Sequence, residues 1–507
     1  MKRSKFWLQI CTFFIFITII ILFKLYKNDK KYHIIVKELN LRNILKKQNG
    51  INQKVFLLHE TYLIIDDPLF GNNTAVSLFT GDINFPNYNK ILCHSRDGTI
   101  SKAKIELAAP LFVNEDKCQW AVFRSECNIE KNSSYLYLSR EVNHEKSFVE
   151  VFLKKPEKPV DLAVCYGHSF MLDEWQNLIV AIELYKFFGA SIQQLYWRSG
   201  RTEIYNLLRE YENDGTIKLD LFGPTVSDEL TKMLGFDIQL EIPTRNYITS
   251  INDCLLKYRN AKFVLVIDSD ELYIPRLSTN ILSELNYFSL LNPHANSFVF
   301  DRYDASSEMY KNPSLYNIKS TLLSLKISEH KRNLGKSVII PKKTKGTHQH
   351  FGSYFKSNTN VVSIPSKLNY IIHNTKVTLL NDNETTYFNT NEIKNHSIFY
   401  WLTIEKINEI NKSFNDNIKN NTLFKNLNTN YFFKNEVLTC KKELLEKLWL
   451  RNDVCIENYN YCSFPEISNV SCLSAKNIYK IYNLENNLVM FKKTNTVEIY
   501  SMNGCMY

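Results

Sequence analysis

The sequence predicts an α/β protein, with a mostly parallel sheet and helices on both faces. From Leu162 onward, short apolar runs alternate with segments whose apolar residues recur at helical spacing. One run, "FVLVI" at 263–267, is apolar without a break, as a strand covered on both faces requires. Strands that alternate with helices of this length join through right-handed crossovers into a parallel sheet. At 507 residues the chain exceeds one ordinary core, so more than one structural unit is expected.

Taken in order, the chain opens with a short tail, 1–5, and then "FWLQICTFFIFITIIILF" at 6–23, an uncharged run of 18. At about 1.5 Å per residue that run just crosses a thin bilayer. Lys24, Tyr26 and Lys27 stand where a signal peptidase would need small residues, so the expectation is an uncleaved anchor and a single membrane-spanning helix. Lysines on both sides leave its orientation open. Residues 24–50 read as a stem, and 51–155 as a β-rich region of short runs broken by Asn, Gly and Pro.

Charge excludes one class of partner. Of the formal +10, the first 31 residues carry +6, leaving +4 on the other 476, too little for a basic nucleic-acid face. No nucleic-acid partner is expected.

The α/β region spans 156–400. Leu162 to Cys165 form a strand, and Trp175, Leu178, Ile179, Ile182 and Tyr185 mark a helix. Asp173 with Gln176 resembles a capping box, and Gly189 supplies the stop. "SIQQLYW" is a second strand, Ile204, Leu207, Leu208 and Tyr211 a second helix, "TIKLDLF" a third strand. Ile251, Leu255 and Tyr258 share one face of a helix that leads into "FVLVI". Beyond about 400 the alternation fades, and 401–507 reads as a helical, disulfide-tied region.

Ten of the eleven cysteines follow the anchor, as do Asn-X-Ser/Thr acceptors at Asn72, Asn132, Asn383, Asn395, Asn411, Asn420 and Asn469. Both suit an oxidising compartment. Cys165 and Cys254 lie inside regular elements and read as buried thiols. Three other cysteines precede the α/β region and five follow it. Both counts are odd, so if those eight pair among themselves, at least one bridge joins the flanks.

The chemistry concentrates after "FVLVI". Asp268, Asp270 and Glu271 follow that strand directly, at the carboxyl end where open parallel sheets bind ligands. Oxygen ligands suit Mg²⁺ or Mn²⁺ bridged to substrate phosphates, and the same residues also suit ordinary helix capping. "FVFDRYDASSE" offers Asp301 and Asp304 as candidate catalytic bases after a further apolar strand.

Residues 155–375 resemble glycosyltransferase family 92 in combination: "CYGHSFMLDEWQNLIVAIELYKFFGA", "INDC", "DSDELYIP" and "GKSVIIPKKTKGTHQHFG". That resemblance implies a GT-A-like fold, a UDP-sugar donor, a divalent metal, usually Mn²⁺, and a type II membrane protein with its body in the Golgi lumen. Its implied reaction moves galactose from UDP-galactose to a glycan or glycoprotein acceptor, such as fucose on an N-glycan core, and the expected course is inversion by direct attack of the acceptor hydroxyl. Asp268 and Asp270 match the metal pair, and either His348 or His373 completes the shell, His348 by preference. Asn252 matches a nucleotide-facing position, and Arg245 is placed near the diphosphate. "TRNYITS" replaces the usual Arg-Gly-Gln stretch, and "NTK" follows His373 in place of an aromatic and arginine. Those departures keep a second reading open, an inactive lumenal carbohydrate-binding protein of the same fold. A surface adhesion module explains the cysteines but gives no reason for "DSDE" after a buried strand.

Overall fold

In the computed structural model the described residues are 54–88, 90–110, 118–131, 133–140, 148–225, 228–384, 401–450, 455, 462, 464–484 and 488–505, without the side chains of 444–450. The tail, anchor and stem expected over 1–50 lie outside them. Among the described residues no helix is long and apolar enough to cross a membrane. The chain divides into two compact units, one of which combines 1–53 with 228–237. Its described part is a short helix, Asp228–Leu234, with Asp228 and Glu229 in the first turn, where the helix dipole favours acids. All that follows concerns the other unit.

Its central sheet has seven strands: β1 (Leu162–His168), β2 (Ile192–Trp197), β3 (Ile217–Leu221), β4 (Phe263–Ile267), β5 (Ala295–Phe300), β6 (Lys336–Ile339) and β7 (Asn360–Ile364). Their spatial order is β3-β2-β1-β4-β6-β5-β7. Strands β3, β2, β1 and β4 are mutually parallel, β6 runs antiparallel between β4 and β5, and β7 is parallel to β5. The mostly parallel sheet is therefore present, and β4 is buried at all five positions. The order reverses between β1 and β4, which makes the carboxyl ends of those two strands the switch point, the place where open α/β sheets bind ligands.

Helices α1 (Gln176–Phe187), α2 (Thr202–Asn213), α3 (Tyr247–Lys257) and α4 (Ile281–Leu291) accompany the sheet. The capping box expected before α1 does not form: Trp175 is the N-cap, without a side-chain bond. Asp173 instead accepts the backbone N–H of Phe433, because residues 428–433 pack against this end of the helix. Gly189 ends the helix as expected, at φ +84°.

The β-rich N-terminal region gives four strands to a second seven-stranded sheet and four to a separate four-stranded one, and here the C-terminal expectation needs correction. Helices do follow residue 401, at Ile404–Phe414 and Lys434–Leu450, but Cys472–Asn483 and Leu488–Ser501 are long strands. They pair as a hairpin, and Leu488–Ser501 runs parallel to the first strand of the described residues, Lys54–Asp67. Leu488, Val489, Met490 and Phe491 are all buried there, so an edge that would otherwise stand open is covered.

Cysteine pairing is Cys93–Cys127, Cys118–Cys455, Cys165–Cys254, Cys440–Cys462 and Cys472–Cys505. Cys118–Cys455 is the flank-joining bridge that the odd counts demanded. Cys165 and Cys254 are not thiols but bridge β1 to α3, since strand and helix place their Cα atoms 6.1 Å apart.

Candidate active site

The carboxylates that end β4 stand at the switch point, and their neighbours give each a different task. Asp268 accepts the Tyr247 hydroxyl on Oδ1 at 2.6 Å and the Lys336 ammonium on Oδ2 at 2.6 Å. Withdrawal from water pushes its pKa up, but Lys336 and then Tyr247 overcome this and hold it well below the usual carboxylate range. Lys336, the first residue of β6, is 0% exposed and also lies 3.1 Å from Glu271. Burial pulls its pKa down, and Asp268 and Glu271 more than reverse that, so it is a fixed buried cation. Glu271 holds Arg302 at 2.6 Å and accepts the Asp268 backbone N–H at 2.9 Å.

Asp270 has another partner. A four-stranded sheet sets Glu271–Tyr273 antiparallel to Ile371–Leu380, and Arg302–Tyr310 parallel to it on the other side. His373 is thereby in register with Glu271 on one strand and Asp304 on the other. Its Nε2 lies 3.4 Å from Asp270 Oδ2 and its Nδ1 3.3 Å from Asp304 Oδ1. Burial lowers the His373 pKa, and Asp270 more than offsets this, leaving it raised. Asp304 also binds Arg332 at 2.7 Å and His330 at 2.8 Å. Burial raises the pKa of this carboxyl, and the Arg332 and His330 bonds then bring it below its ordinary value. Those bonds weaken it as a base and suit it to orienting His373. Asp301 stands apart, bonded to Lys331 at 2.8 Å and to Ser366.

Two expected site residues go elsewhere. Asn252 does not face a crevice: its Nδ2 donates to the Ile248 and Thr347 carbonyls and its Oδ1 accepts the Thr347 N–H. It is a clamp between α3 and the strand Thr344–Thr347, because an amide there matches both backbone groups. His348 is buried with its ring stacked on Phe351 at 4.9 Å and 5.8 Å from His350. Among the described residues no group of three His, Cys, Asp or Glu forms a metal cage.

Arg245 does stand at the start of α3, its guanidinium 4.4 Å from the Phe170 ring and its carbonyl accepting from Arg198. Thr244, Arg245 and Asn246 take φ of +45°, +54° and +68°, three successive left-handed residues, none of them glycine. Each costs on the order of 1–3 kcal/mol, and such strain concentrates at ligand clamps. Beside them sits His168, the last residue of β1, only 6% exposed and stacked on Phe222 at 5.1 Å. Neither ring nitrogen has a hydrogen-bond partner. Burial, with Arg198 and Arg245 nearby, drives its pKa well below the ordinary value, so the neutral ring offers one donor and one acceptor to a polar ligand.

Residues 160–430 match the family model of glycosyltransferase family 92. The chain belongs to that family. A family 92 protein of Caenorhabditis elegans is 28% identical over 358 residues, covering 68% of each chain. Another from the same organism is 23% identical over 480 residues, 91% of each. Among solved structures, Staphylococcus aureus TarS 1–349 aligns at 10% identity and TM-score 0.25, over 42% of this chain and 60% of that one, too loosely to bear on the fold. Family 92 membership makes the protein a glycosyltransferase, an enzyme that takes a nucleotide-sugar donor and a glycan acceptor.

The family 92 motif "DSDE" marked Asp268 and Asp270 correctly as neighbours at a strand end, but Tyr247, Lys336 and His168 carried no signal of their own. Tyr247 sits in the departing "TRNYITS" stretch, and Lys336 in "GKSV" reads as a surface lysine. Only strand β6, inserted antiparallel beside β4, turns that lysine inward against Asp268.

Proposed function

We propose that this glycosyltransferase moves galactose from UDP-galactose to a glycan acceptor with inversion, at a crevice where Asp270 and His373 hold a divalent cation. The observation that carries the reading is the line Asp304, His373, Asp270: Asp304 lies 3.3 Å behind the ring at Nδ1, and Nε2 faces the Asp270 carboxylate at 3.4 Å, so one imidazole nitrogen and one carboxylate converge where a cation could be shared. Mg²⁺ and Mn²⁺ sites that complete themselves with substrate phosphates need only one or two protein ligands, so two fit and a cage is not required. Asp268 fits less well, because each of its oxygens already holds a donor. His348 is packed against Phe351 and is not part of the proposed set. A bound cation supplies charge neutralisation for the departing diphosphate.

This chain's own residues do the rest. Lys336 and Arg302 balance Asp268 and Glu271, so the rim is held rigid. Arg245, presented by its strained turn, offers a guanidinium for bidentate contact with phosphate oxygens. An acceptor hydroxyl attacks the anomeric carbon opposite UDP, the C–O bond to phosphate breaks, and the hydroxyl proton leaves to a base. The body works in the Golgi lumen behind the anchor at 6–23, a placement supported by five disulfides.

Titration of the purified body with UDP-galactose, with and without Mn²⁺, tests the site. Asp270→Asn and His373→Ala should lose Mn²⁺-dependent donor binding and lower turnover by roughly 100-fold or more, with Asp304→Asn losing about 10–100-fold. Full Mn²⁺-dependent turnover in either of the first two variants would remove the assignment.

A further inference from the structure

A cleft of about 980 Å³ opens on the side of α3 away from the carboxylate rim. Its walls come from the strand Lys54–Asp67, the end of the β-rich region, the carboxyl ends of β2 and β3, and the C-terminal hairpin. Helix α3 contributes Thr249, Asp253 and Lys257, spaced four apart and so on one stripe, while Tyr247 points to Asp268 from another. The two sites therefore share a helix without sharing side chains.

The lining identifies an occupant. Six lysines face four carboxylates, and three of the lysines are already engaged: Glu60 lies between Lys154 and Lys493, and Lys257 binds Asp220. A polyphosphate would meet Glu60 and Asp253 as like charges, so a nucleotide is disfavoured. Asp253 is fixed by the hydroxyls of Tyr62 at 2.7 Å and Tyr196 at 2.6 Å, which makes the floor rigid and polar. Around it stand hydroxyl and amide side chains, among them Ser134, Thr494 and Asn495. At the rim Phe152 is 65% exposed, a large apolar ring that a protein does not leave in water beside a polar cavity without cost. An exposed aromatic side chain in the same lining as carboxylates, hydroxyls and amides matches a sugar, which has one C–H face and a girdle of hydroxyls.

We propose that this cleft binds a neutral oligosaccharide, the arm of the acceptor glycan remote from the reacting hydroxyl. The role as acceptor arm rests on the transfer reading above; the binding of sugar in the cleft does not. Such an exosite selects among glycans that share a terminal sugar, since affinity gained away from the reaction raises the local concentration of the right acceptor.

Fluorescently labelled neutral N- and O-linked oligosaccharides, titrated against the purified body, test it. Phe152→Ala and Thr494→Arg both alter exposed positions and leave the core untouched. Each should weaken binding of the best oligosaccharide at least tenfold and raise the acceptor KM equally, with kcat and acceptor-free hydrolysis of UDP-galactose unchanged. Unchanged oligosaccharide affinity in both variants, or no binding to the unaltered body, overturns the cleft. Oligosaccharide binding that depends on Phe152 in a body that hydrolyses no UDP-sugar upholds the cleft and removes the transfer reading instead.

Discussion

Gly167 has no side chain because Tyr247 fills the space: a Cβ there would lie 1.8 Å from the tyrosine ring. That ring must reach across β1 to give its hydroxyl to Asp268, so the glycine next to His168 is a condition of the carboxylate's geometry rather than of any turn. Gly167→Ala should displace Tyr247, free one oxygen of Asp268 and reduce donor turnover by about 10–100-fold, at a stability cost of about 1–3 kcal/mol from overpacking. Turnover and thermal unfolding of that variant check it; wild-type turnover would show that Asp268 needs no help from Tyr247. At this scale the sequence was only half legible. "DSDE" marked the place of its own carboxylates at a strand end, whereas His373 became a neighbour of Asp270 only through the register of three strands whose residues lie up to about a hundred positions apart. Asn252 misled for a related reason: an amide near a crevice can face a ligand or a backbone, and the neighbouring strand Thr344–Thr347 decides which.

Elements tell a different story, because apolar periodicity is local. The strands β1 to β4 and the helices between them lie where alternation and spacing put them, and α1 ends at Gly189. What fails is whatever depends on a distant partner. The strands Cys472–Asn483 and Leu488–Ser501 are rich in Lys and Asn and read as helical until the edge at Lys54–Asp67 is there to receive them. One such long-range tie can be tested by acid. Asp67, at the end of that first strand, binds Arg259 just beyond α3 with both oxygens at 2.8 Å, and both side chains are fully buried. Burial raises the Asp67 pKa, but the Arg259 bonds dominate and lower it from 3.8 to about 2. A depressed folded-state pKa gives stability that is complete above about pH 4 and lost as pH falls through about 2. The body should therefore lose about 2 kcal/mol across that window, measured by urea unfolding. Asp67→Asn should abolish this step and cost about 3–5 kcal/mol at neutral pH by leaving Arg259 buried and unpaired.

For the whole molecule, the cysteine count carried more than its position-by-position reading. Parity alone called for a bridge between the flanks, and Cys118–Cys455 spans 337 residues to make it. Local context suggested thiols at Cys165 and Cys254, and context failed because a strand and the helix packed on it are neighbours in space across 89 residues. The outcome is testable in one step: under denaturing, non-reducing conditions none of the ten cysteines after residue 53 should react with iodoacetamide, and all ten should after reduction, as read by peptide mass. Any alkylated peptide carrying Cys165 or Cys254 before reduction would break the pairing. The parallel contact between Lys54–Asp67 and Leu488–Ser501 has a consequence for biogenesis. A ribosome adding about 5–20 residues per second delivers the second strand on the order of a minute after the first. Throughout that interval the nascent polypeptide exposes a bare strand edge, so chaperones must guard it, and a premature stop codon even near the end of the message leaves that strand permanently unmatched.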